Sequence, residues 1–384
     1  MANDKSFKVK NGLLAGRYLQ SAGTETAGSD PWSISAISYD SKSFLLSSQD
    51  SEPRQIFIKP DGTKLYLAGG TNTTIYQYSL STAWDISTAS YDSVSFGVSG
   101  QGASFLRGID FKSDGTKMFV ASGGNATVYQ YSLSTAWDLS TASYDSVSFS
   151  TSSQVSSLQN VVFKTDGTKM YANEYTGFGV AAIVYQYSLS TAWDLSTASY
   201  DSKSLSVVAN GVYSAFKPDG TRLYVGDFDE QVTEYSLSTA WDVSTGTATG
   251  NTASLSGQLT SLTGFIFKPD DGTKLYAVGQ DNDTIYQYST VQATETLDLS
   301  TGNTCSFTAS GATTVSFTNA PASGIAIGFA VEINGDGSAM TWPSSVKWDS
   351  GTAPTATASK EVYTFITTDG GTTYYGKKAA GDIA

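Results

Sequence analysis

Apolar residues come in short runs broken by corners of the form Pro-Asp-Gly or Ser-Asp-Gly, and the runs recur. The stretch Phe216-Lys217-Pro218-Asp219-Gly220-Thr221-Arg222-Leu223-Tyr224 occurs five times with small changes. The Asp before each Gly is Asp61, Asp114, Asp166, Asp219 and Asp271, giving steps of 53, 52, 53 and 52 residues. A fixed period of this length marks a repeat architecture. Each copy predicts a strand, a tight turn and a second strand. Pro or Ser followed by Asp suits a type I turn, and Gly supplies the left-handed position that closes a bulged hairpin. A second pattern recurs in phase: TIYQYSLSTAWDIS around Trp84 returns around Trp137 and Trp193, and more loosely around Trp241. A short strand like Ser90 to Phe96 follows each, so one unit holds four strands, the content of one propeller blade.

The ends of the array decide between a ring and an open solenoid. The chain enters the pattern late, at Pro31-Trp32-Ser33-Ile34-Ser35, and first supplies only the last strand of a unit, Ser38 to Phe44. It leaves early: the fifth unit has its hairpin and Thr284 to Ser289, but no strand like YDSVSF after them. The fragments complement each other, and joining them leaves no open sheet edge. Residues 31–290 are therefore expected to form a five-bladed β-propeller closed by an N-terminal strand. Residues 291–384 read as a separate, smaller β-rich unit, either a β-sandwich or an oligomerising module. Its strands are expected at Thr296 to Ser300, Thr304 to Ser310, Thr313 to Asn319, Gly328 to Asn334 and Val362 to Thr367. Trp342 and Trp348 are assigned to its core or to a subunit contact. Before the array, Phe7 to Leu14 alternates around Asn11-Gly12 as a hairpin would, or is a disordered tail, and Ser21 to Ser29 reads as a flexible linker.

Composition narrows the chemistry. The formal net charge of −13, with no basic cluster, argues against nucleic acid and anionic membrane as partners. One cysteine, Cys305, excludes an intramolecular disulfide and a cysteine zinc site, and the absence of histidine excludes imidazole catalysis. The N-terminal stretch MANDKSFKVKNG lacks the apolar core of a secretory signal, and no run is long enough for a spanning helix. Abundant Ser, Thr, Gly and Tyr nevertheless suit an extracellular binding surface.

The two kinds of inter-strand link differ in regularity. The Lys-Pro-Asp-Gly-Thr corner and the STAWDIST crossing are nearly constant and fall on one face of a meandering propeller. The second-to-third and blade-to-blade links vary and fall on the other. Divergence on a conserved scaffold is either drift or a binding task. The candidates on this irregular face are Glu174, Tyr175 and Phe178 in the third unit, Asp227, Phe228 and Asp229 in the fourth, and Asp281 and Asp283 in the fifth. Aromatic faces cover the apolar faces of sugar rings, and carboxylates accept sugar hydroxyl hydrogens. A glycan-cleaving site would draw on Glu174, Asp229 and Glu230 as acid and base. Asp227, Asp229, Asp281 and Asp283 offer oxygens of the kind calcium accepts, although the EF-hand pattern is absent. The expectation is a binding protein without enzymatic activity, metal or cofactor.

The last ninety or so residues carry Leu297-Asp298-Leu299-Ser300-Thr301-Gly302, MTWPSSVKWDSGTAP from Met340 to Pro354, and YTFITTDGGTTYYG from Tyr363. This series resembles the C-terminal modules of tail-fibre and other virion proteins of tailed, particularly marine, bacteriophages. The opening SFKVKNGL is similar to the start of such proteins. The resemblance implies a tail or head fibre of the virion, assembled in the host cytoplasm, homotrimeric, and attached to other virion proteins through its N-terminal segment. Host attachment through a surface glycan would fall to the propeller. A purely architectural role without a ligand is the alternative, and no site residues transfer from the family.

Overall fold

The computed structural model describes residues 21–23, 31–35, 37–290, 293–309, 313–335, 337 and 340–383. The expected hairpin at Phe7 to Leu14 lies outside them. The protein is all-β, with 55% of residues in strands and no α-helix among the described residues. It divides into two compact units, one of Pro31–Ile37 and Lys42–Thr290, the other built on Val291–Ala384.

The first unit is a five-bladed propeller. Its first blade runs outward through Pro53–Ile58, Lys64–Gly69, Thr74–Leu80 and Ala89–Gly97. The second holds Leu106–Phe111, Lys117–Ser122, Thr127–Leu133 and Ala142–Ser150. Leu158–Phe163, Lys169–Glu174, Ala181–Leu189 and Ala198–Ala209 make the third. The fourth comprises Gly211–Phe216, Arg222–Asp227, Gln231–Leu237 and Gly246–Ser254. The fifth combines Leu262–Phe267, Lys274–Gly279 and Thr284–Ser289 with Ser38–Leu45, so the N-terminal strand completes it as expected. Innermost strands of neighbouring blades touch all the way round, including the first with the fifth.

The repeated residues explain why this closes. Each Asp-Gly corner places its Gly at φ between +68° and +75°, the left-handed region that favours glycine. A side chain there would also collide with tryptophan: a Cβ on Gly62 would lie 2.5 Å from the Trp84 ring. The same Gly–Trp packing recurs at Gly115 with Trp137, Gly167 with Trp193 and Gly220 with Trp241. Gly272 meets Trp32, so the tryptophan of the fifth blade comes from the start of the chain.

Hydrogen bonds then run from blade to blade. Tyr66 donates to the Trp137 carbonyl, Tyr171 to that of Trp241 and Tyr276 to that of Trp84, each at 2.7 Å, and Tyr224 donates to that of Trp32. The second blade has Phe119 at this position. A second latch uses glutamine: the Leu139 N–H donates to Gln77 Oε1 at 3.0 Å, and Gln130, Gln186 and Gln287 accept from the following blade in the same way. In the first, second and third blades the other end of that glutamine donates to an Asp of the outermost strand, Asp92, Asp145 or Asp201, which also takes a lysine. The fourth blade moves the carboxylate: Glu234 stands at the glutamine position and pairs with Arg222 at 3.2 Å.

The second unit packs two sheets over one core. One sheet has Ser21–Gly23, Ala293–Asp298, Thr313–Thr318 and Met340–Thr341 in that order. The other has Thr304–Thr308, Ile327–Asn334, Lys360–Thr367, Tyr374–Ile383 and Val346–Trp348. Leu297 and Val315 of the first meet Phe307, Phe329, Val331 and Phe365 of the second. Trp342 lies in this core and Trp348 packs against it, so both serve packing within the unit. One expectation is corrected here. Ser21–Gly23, read as part of a linker, is a strand paired antiparallel with Ala293–Asp298, because backbone pairing does not need the alternating side chains on which the sequence reading relied. Met340–Thr341, Val346–Trp348 and Tyr374–Ile383 are strands the pattern did not reveal.

Candidate functional site

The constant and variable links lie on opposite faces of the propeller. Trp84 N–H donates to the Gly62 carbonyl at 3.1 Å, joining the corner to the STAWDIS crossing, whose Asp85 caps a single 3-10 turn by accepting from Ser87 N–H. On the other face, Leu46 N–H donates to the Asp283 carbonyl at 2.7 Å and Val98 N–H to that of Thr73 at 3.1 Å, joining blade-to-blade links to second-to-third links.

On that face the third and fourth blades bring part of the expected set together. Tyr175 and Phe228 meet edge to face with centroids 5.5 Å apart. Phe178, on the four-residue insertion of the third blade, is 82% exposed, and Val180 beside it is also exposed. Asn210, which the sequence did not single out, ties the two loops: its Oδ1 accepts from Gly179 N–H at 2.8 Å and its Nδ2 donates to Asp229 at 3.0 Å. The exposed Asp229 carboxylate therefore borders the aromatic patch.

The remaining candidates are placed differently. Glu174 is buried, and its carboxylate accepts from Ser156 N–H and Oγ and from the Tyr185 hydroxyl. Burial, then the Glu174 charge, pushes Tyr185 up to about 12. Asp227 is buried as a turn cap that accepts from Asp229 and Gln231 N–H, both at 3.0 Å. Burial pushes it up to about 6, and the Asp229 and Glu230 charges add to that rise. Asp281 is exposed on the fifth blade; Asp283, beside it, is raised by burial and then by the Asp50 and Asp281 charges. Among the described residues no three acidic side chains converge as a metal site. Of the acid and base candidates, Glu230 accepts from Ser261 N–H, Glu174 is bonded inside the blade, and Asp229 accepts from Asn210 but stays exposed.

Near the axis of the same face, Arg54 and Arg107 occupy equivalent positions in consecutive blades. Arg54 is held by Glu52 at 2.7 Å and by Gln280 at 2.6 Å. Arg107 Nε is buried without a hydrogen-bond partner among the described residues. Burial, and secondarily the Arg54 charge, lowers its pKa from the ordinary guanidinium value.

No protein-family model matches the chain, and no curated protein matches it. Solved structures do match. A candidate 6-phosphogluconolactonase from Bacteroides fragilis aligns at 14% identity and TM-score 0.39, over 55% of this chain and 56% of that one. A protein of unknown function from Desulfotomaculum acetoxidans aligns at 10% identity and TM-score 0.36, over 59% and 62%. A second candidate 6-phosphogluconolactonase, from Bacteroides uniformis, aligns at 13% identity and TM-score 0.37, over 60% and 64%. This chain thus spans less than two thirds of each of these structures, and none of them bears on what it binds or does.

Proposed function

We propose that this protein is a structural appendage of a tailed-phage virion whose propeller adheres to a host-surface glycan through its irregular face. The observation that carries the adhesive part is the Tyr175–Phe228 ring pair with the exposed Phe178 on the neighbouring loop, bordered by Asp229. A phenyl ring as exposed as Phe178, at 82%, contributes nothing to the core that would retain it. Flat aromatic surface beside a carboxylate suits the two sides of a pyranose, one apolar and one hydroxyl-bearing. The virion part rests on the resemblance of the C-terminal stretch from Leu297 onward.

The test is binding of the full chain to host cells and to purified surface polysaccharide. The variant Phe178→Ala is expected to lose at least about tenfold in affinity, or ~1.4 kcal/mol, with the melting temperature nearly unchanged because Phe178 packs on little. Undiminished binding by that variant, or no binding by the parent chain, removes the adhesive reading and leaves the architectural one. Cryo-electron microscopy of intact particles tests the virion part directly: a particle without this protein overturns it.

A further inference from the structure

On the face opposite the aromatic patch, the axis of the propeller opens into a well of about 210 Å³. Exposed corner residues form its mouth: Pro60, Ser113, Thr165, Pro218 and Pro269. Below them one residue per blade faces the axis, and each keeps partial exposure to the well: Phe57, Asp110, Val162, Ala215 and Ile266. Deeper still, Gln55, Gly108, Asn160, Tyr213 and Gly264 are all buried, so the well has a floor. Four apolar positions and one carboxyl is an unusual ring. Among the described residues that line the wall and mouth of the well, Asp110 is also the one titratable side chain.

The carboxyl is not needed to hold the blades together. Asp110 accepts from Phe111 N–H and, across the blade boundary, from Phe163 N–H, both at 2.8 Å. Yet the other blades form the same ring of inner strands with apolar side chains at this position. Each carboxylate oxygen has one donor and a second lone pair to spare. Burial pushes Asp110 up to about 7 despite those two N–H donors. A lone carboxyl in an apolar wall costs free energy unless a partner compensates it.

We propose that this well binds a small organic ammonium, its apolar body among Phe57, Val162, Ala215 and Ile266 and its charged nitrogen against the Asp110 carboxylate. The wall suits such a body, since an apolar cavity of ~150 Å³ is large enough for benzene, and aromatic rings with a carboxylate favour a cation over a neutral ligand. A metal ion would want several oxygen ligands where one carboxylate stands. A free sugar would want many hydrogen-bonding partners where the wall is apolar.

Calorimetry on the full chain, at about pH 8 where Asp110 is ionised, compares benzylamine with the neutral, equally shaped benzyl alcohol. Benzylamine is expected to bind at least about tenfold more tightly. Asp110→Val, which installs the residue type of Val162 in the next blade, is expected to erase that difference. Ala215→Phe, which copies Phe57 and fills the well while leaving Asp110 in place, is expected to abolish binding of both. Failure of benzylamine to bind, equal affinity for the alcohol, or indifference to either substitution overturns the proposal. Should Asp110→Val fail to fold, carbon-13 NMR of the parent chain decides. Saturating benzylamine is expected to lower the Asp110 titration midpoint by about one pH unit or more, the tenfold preference in another form; an unmoved midpoint refutes it.

Discussion

At the scale of the residue, one methyl-sized difference separates the second blade from the rest. Phe119 occupies the place of Tyr66, Tyr171, Tyr224 and Tyr276, and its ring sits 4.2 Å from that of Phe163, much as Tyr66 sits 4.6 Å from Phe111. It lacks only the hydroxyl that the other four give to a tryptophan carbonyl. Phe119→Tyr should supply it to Trp193 and stabilise the propeller by about 1 kcal/mol, the usual net worth of such a bond, read as a raised urea midpoint. A lowered midpoint would mean that the second blade is packed too closely to accept the oxygen. The same scale shows where sequence reasoning fell short. Glu174 and Asp227 look like free acidic loop residues in the chain, but their burial depends on which tertiary partners, Ser156, Tyr185 or Gln231 N–H, reach them. The exposure of Phe178 was legible because it falls in an insertion. Asp110 stands in a register where the other copies carry Phe, Val, Ala and Ile, but that contrast has meaning only once the strand is known to face the axis.

At the scale of the element, the N-terminal segment from Trp32 to Leu45 does the work of the missing part of the fifth repeat. Trp32 seals the Gly272 corner, its carbonyl accepts from Tyr224, and Ser41 has a positive φ of 59°, in line with the 56° to 58° of Ser93, Ser146 and Ser202 in the outermost strands. This closure was legible because the repeat was interrupted in phase at both ends. The second unit was less so, since its parallel pairs, such as Thr304–Thr308 with Ile327–Asn334, join strands that no short turn connects. Trp32→Ala is expected to cost about 3–5 kcal/mol, as large aromatic truncations in a core do. It should also speed amide exchange in Ser38–Leu45. Trp193→Ala, inside a continuous repeat, should cost a similar amount without that local opening. Equal exchange in the two variants would show that the strand is held independently of its tryptophan.

At the scale of the whole molecule, two populations of carboxylates pull stability in opposite directions with pH. The corner residues Asp61, Asp114, Asp166, Asp219 and Asp271 are held below the ordinary 3.8. Burial raises each, and hydrogen bonds from the neighbouring lysine and threonine more than offset it; Asp114 and Asp166 reach about 2. Their contribution is complete above the unfolded value and is lost as pH falls through the folded ones. Asp110 and Asp227, raised to about 7 and about 6, hold protons in the folded state that the unfolded chain has released, so their contribution declines as pH rises from about 4 to 7. Urea unfolding across pH should therefore show greatest stability at about pH 4 to 5, with a steep loss toward pH 2 and a second, smaller loss that continues to about pH 7. A stability that climbs steadily from pH 4 to 7 would contradict this assignment.

Entry to and exit from the propeller lie side by side. Thr290 Oγ1 donates to the Pro31 carbonyl at 2.7 Å, while Ser21–Gly23 and Ala293–Asp298, just outside those points, are paired strands of the other unit. The ring is thus threaded as an insert between two adjacent strands of a host domain, and both cut sites meet in one place. Exchange of the insert for another whose ends also lie together would leave the paired strands of the other unit intact, as insertions at adjacent chain ends do.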